Sequence, residues 1–68
     1  MDDEVFNKSV RVFLKKVGIT SQRALEDAVQ KATANGRLKG NENIGVKIRL
    51  ESDLLDQPLE IDGTLELS

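Results

Sequence analysis

The last 26 residues, NIGVKIRLESDLLDQPLEIDGTLELS, alternate apolar and polar side chains almost without a break. Period two with one polar face marks half-buried antiparallel strands. Ile44, Val46, Ile48 and Leu50 share one face; Leu59, Ile61, Leu65 and Leu67 share another with Gly63. Strands are therefore expected at about 44–51 and 59–67, with Leu50 opposite Leu59 and Ile48 opposite Ile61. The same register sets Arg49 against Glu60 and Lys47 against Asp62, opposite charges across the pair. Gly63 then faces Val46, making room for a Phe ring or marking a bulge. No third strand is visible, and a sheet of two needs cover from elsewhere in the chain or from another molecule.

The residues before the strands supply that cover. Phe6, Val10, Phe13, Leu14 and Val17 fall on one helical stripe, which predicts a helix over about 3–17. Asp2, Asp3 and Glu4 suit the positive end of its dipole, and Lys15 and Lys16 the other end. Gly18 stands where a left-handed C′ stop is expected. Thr20 or Ser21 then offers an N-cap, with Ile19 and Ala24 in the staple positions, for a second helix over about 21–35. Leu25, Ala28, Val29 and Ala32 form its apolar face, and Gly36 closes it. RLKGNEN is the loop into the strands. The expected fold is α+β, in the order ααββ: two N-terminal helices packed on one face of a C-terminal antiparallel hairpin, residues 1–68 forming a single domain.

A chain of 68 residues buries only about 60% of its unfolded surface, and often needs a staple. There is no Cys, His, Tyr or Trp, so disulfides and thiolate or imidazole metal sites are excluded. Self-association is the staple that the composition leaves open. The acidic start, MDDEVFNK, has no basic or apolar leader pattern, and the longest apolar run is Val12-Phe13-Leu14. A cytoplasmic protein without a membrane segment is expected.

No residue pattern for catalysis emerges, because nucleophile–base pairs lack both His and Cys. The carboxylates belong mostly to the polar strand face, where water holds them near their ordinary pKa. A non-enzyme without cofactor or metal is expected. Glu51, Asp53 and Asp56 share a loop, but their spacing misses the EF-hand pattern and Leu54-Leu55 interrupts it. Gly36, Gly40 and Gly45 are too far apart to cradle a phosphate.

The net charge of −2 is uneven: residues 1–40 carry eight Lys/Arg against five Asp/Glu, residues 41–68 two against seven. Lys8, Arg11 and Lys15 recur on one side of the first helix and are candidate phosphate contacts. Helices followed by a hairpin also suggest a winged helix. Against this, the second helix carries Glu26 and Asp27, the hairpin is acidic, and no aromatic is free to stack on bases. A solvated face with a Glu4–Lys8 pair is the simpler reading. Val5 and Val12 point off the main stripe, while Leu54 and Leu55 sit at the hairpin tip; together they are a candidate contact patch.

The segments EVFNKSVRVFLKKVGITSQ and GRLKGNE give the chain a further likeness. It resembles a family of short bacterial proteins, about 65–70 residues long, that forms a domain of unknown function. The resemblance is most specific in Val5-Phe6-Asn7, in Phe13 to Gln22 and in Leu38-Lys39-Gly40. It implies a cytoplasmic bacterial protein and carries over no functional residue. The functional expectation is thus a small non-catalytic interaction module. It pairs with a protein partner or a second copy of itself through an open strand edge. A nucleic-acid accessory protein using the basic side of the first helix is the alternative.

Overall fold

The computed structural model describes all 68 residues, which fall into two compact units, Met1–Arg37 and Leu38–Ser68, each described by itself. The fold class is α+β, with one helix followed by a two-stranded antiparallel sheet.

Helix α1 spans Asp3–Ala34, 32 residues. Asp2 is its N-cap: Oδ1 accepts from the backbone N–H of Glu4 at 3.0 Å and of Val5 at 3.2 Å. Two of the four donors orphaned at a helix start are thereby satisfied. At the far end Gly36 takes φ of 84°. Arg37 N–H donates to the Ala32 carbonyl at 2.8 Å, and Gly36 N–H to that of Thr33 at 3.2 Å. Those two bonds are the Schellman pair, so Gly36 ends the helix as expected.

The expected division into two helices is corrected: residues 3–17 and 21–35 belong to one helix. Gly18 stays in right-handed backbone and is no C′ stop, and Thr20 and Ser21 lie inside the helix instead of capping a second one. The physical reason lies in the phase of the apolar residues. Phe6, Val10, Leu14, Val17, Ser21, Leu25, Ala28 and Ala32 recur in steps of 4, 4 and 3 straight through Gly18. Breaking there would expose up to four N–H and four carbonyl groups, whereas an interior glycine costs about 1 kcal/mol relative to alanine. Continuity wins.

Strand β1 is Asn43–Leu50 and strand β2 is Leu59–Glu66. The register is the expected one: Leu50 pairs Leu59, Ile48 pairs Ile61, Lys47 pairs Asp62 and Val46 pairs Gly63. Pairing runs through Gly63 without an extra residue, so it marks no bulge; a Cβ there would meet Val46 Cγ2 at 3.6 Å. The polar face differs in one detail. Lys47 Nζ reaches Glu60 at 3.6 Å and Asp62 at 3.9 Å, but Arg49, opposite Glu60, instead pairs Glu51 on its own strand at 3.0 Å. Ser52 shapes the connecting loop, accepting from Leu54 N–H through Oγ and from Leu55 N–H through its carbonyl.

The packed core expected from the sequence is absent: no residue is buried. Val17, Ser21, Leu25, Val29 and Ala32 are half-buried along α1, and Ile44, Val46, Leu50, Leu65 and Leu67 in the hairpin unit. Phe6, Phe13 and Leu14 remain 50–54% exposed, and Leu59 and Ile61 50% and 58%.

Candidate interaction surfaces

Lys8, Arg11 and Lys15 are exposed on one side of α1, as their spacing requires. Glu4 and Lys8 form no ion pair, so the expected i,i+4 contact is not made. On another side, Val5 and Val12 line a shallow groove with Lys8, Ser9, Phe13 and Lys16. Seven residues separate the two valines, about two turns, so the groove follows the helix axis.

In the hairpin unit, Leu54 is 93% exposed at the loop tip. Leu55 lines a small concavity with Glu51, Ser52, Asp53 and Pro58. Val5 and Val12 share a groove of the helix unit, and Leu54 and Leu55 belong to the hairpin unit. Glu51, Asp53 and Asp56 belong to no cluster fit to hold a metal ion. The two strands bond only each other, which leaves an outer edge free on each.

One site was missed in the sequence. The Glu42 carboxylate folds back over its own loop and accepts from the backbone N–H groups of Lys39, Gly40 and Asn41, at 3.0–3.1 Å. Gly40, with φ of 100°, supplies the left-handed backbone that turns those donors together. The bond from Lys39 contributes most to holding the Glu42 carboxyl below its ordinary pKa. The available signal was an acid two residues after a Lys-Gly pair.

These features define a small chain with a long amphipathic helix and an open-edged hairpin, each with apolar side chains exposed. The model of a family of unknown function, DUF6494, matches residues 1–68, and the chain belongs to that family. No curated protein and no solved structure matches it. No helix is long and apolar enough to cross a membrane.

Proposed function

We propose that the protein is a small non-catalytic interaction module whose apolar faces are covered by another protein chain, a second copy of itself first of all. One observation carries this reading: no residue is buried, while thirteen large apolar side chains are exposed. Soluble monomers seldom leave apolar surface contiguous on that scale. The free edges of β1 and β2 offer one route, since an unpaired strand can accept another by β-augmentation. The bacterial, cytoplasmic setting implied by the resemblance goes with this reading.

Light scattering over a wide concentration range is the test. A molar mass of about twice 7.5 kDa supports self-association. A monomer at high concentration rejects it and turns the search to a different protein. Nucleic-acid binding through Lys8, Arg11 and Lys15 is the second reading, supported by their exposure on one side of α1. It requires binding that weakens steeply with salt, and no binding at low salt removes it.

A further inference from the structure

We propose that α1 pairs antiparallel with α1 of a second copy, crossing near Ile19. The inference rests on the self-association just proposed and adds its geometry. The stripe of α1 repeats in steps of 4, 4 and 3, about 3.67 residues per turn, close to the pitch of a straight helix. It therefore stays on one side over all 32 residues, roughly 48 Å of helix. Such a seam suits a partner of the same length.

The direction follows from side-chain size. The N-terminal half of the stripe is large, with Phe6, Val10 and Leu14; the C-terminal half offers Ala24, Ala28 and Ala32. In an antiparallel pair centred on Ile19, Phe6 faces Ala32, Val10 faces Ala28 and Leu14 faces Ala24. These three levels, and Val17 facing Ser21, each hold one large and one small residue, whereas Leu25 is level with the large Phe13. A parallel pair would set Phe6 on Phe6 and Ala32 on Ala32, crowding one end and leaving voids at the other.

Charge gives the same answer independently. Residues 8–16 carry four cations, Lys8, Arg11, Lys15 and Lys16, and no acid. Parallel pairing sets this block against itself. A two-fold axis across antiparallel helices brings the same flank of both together. Antiparallel pairing instead sets the block level with residues 22–30, which carry Glu26 and Asp27 against one cation, Arg23.

Because the chain has no Cys, introduced thiols report the pairing directly. Val10→Cys and Ala28→Cys are made separately, checked for helix content by circular dichroism, and oxidised alone and as a mixture. Antiparallel pairing gives covalent dimer in the mixture and none from either alone, where like thiols stand about 27 Å apart. Covalent dimer from each single variant overturns the direction. No crosslink in any sample, from a chain that light scattering shows to be dimeric, overturns the helix as interface but leaves self-association standing. A monomer overturns both.

Discussion

At the scale of single residues, glycine shows why one letter is read differently at two places. Gly18 and Gly36 both follow an apolar stripe, yet Gly36 is left-handed and Gly18 is not. What separates them lies beyond the glycine: after Gly36 the apolar phase ends, and after Gly18 it continues at Ser21, a polar residue that hides the continuity. Gly18→Ala is therefore expected to raise helicity and stabilise the chain by about 0.5–1 kcal/mol. Circular dichroism during urea unfolding checks this, and a destabilised variant would restore the broken helix. Glu42 gives a second prediction. Its carboxyl is held low by the N–H groups of Lys39, Gly40 and Asn41, so its contribution is complete above the ordinary glutamate range. It is lost as pH falls through the lowered folded value. The carboxyl carbon chemical shift of Glu42 should titrate below the ordinary glutamate range. Glu42→Ala should speed amide exchange at residues 39–41 without melting the strands.

At the scale of elements, the hairpin was legible because two independent patterns agreed on one register. Apolar pairs such as Ile48 with Ile61 and charged pairs such as Lys47 with Asp62 cannot both survive a one-residue slip. The ion pairs are exposed and add at most about 1 kcal/mol, so the apolar face sets the pairing. The helix was half legible. Its acidic start at Asp2 to Glu4 and its end at Gly36 could be read, but Gly18-Ile19-Thr20-Ser21 imitates a stop followed by a start. The Glu42 site could not be read, because it depends on how the Gly40 backbone turns. The free edges lead to a further test. Proline is placed in turn at Glu60 and Ile61, whose N–H groups point in opposite directions along the strand. One of the two variants keeps the hairpin and blocks the β2 edge. If assembly uses that edge, this variant becomes monomeric; if it stays dimeric, the β2 edge is not the contact.

At the scale of the whole molecule, the candidate site was the least legible feature. Val5 and Val12 line a groove of the helix unit, and Leu55 lines a concavity of the hairpin unit beside the exposed Leu54. Periodicity tells which residues share a face of one element. It does not tell whether that face finds cover inside the chain. In the proposed assembly, the second chain supplies most of the stabilising apolar contact. The melting temperature should therefore rise with protein concentration, by several degrees over a hundredfold range. A midpoint independent of concentration would mean that the lone chain is sufficient.

The absence of a buried interior also bears on how such a protein is kept in a cell. If the proposed assembly forms, a copy that has not met its partner would present Phe6, Phe13 and Leu14 to the machinery that removes unfinished proteins. Its lifetime would then follow how soon it is joined, and the amount that persists would follow the amount assembled.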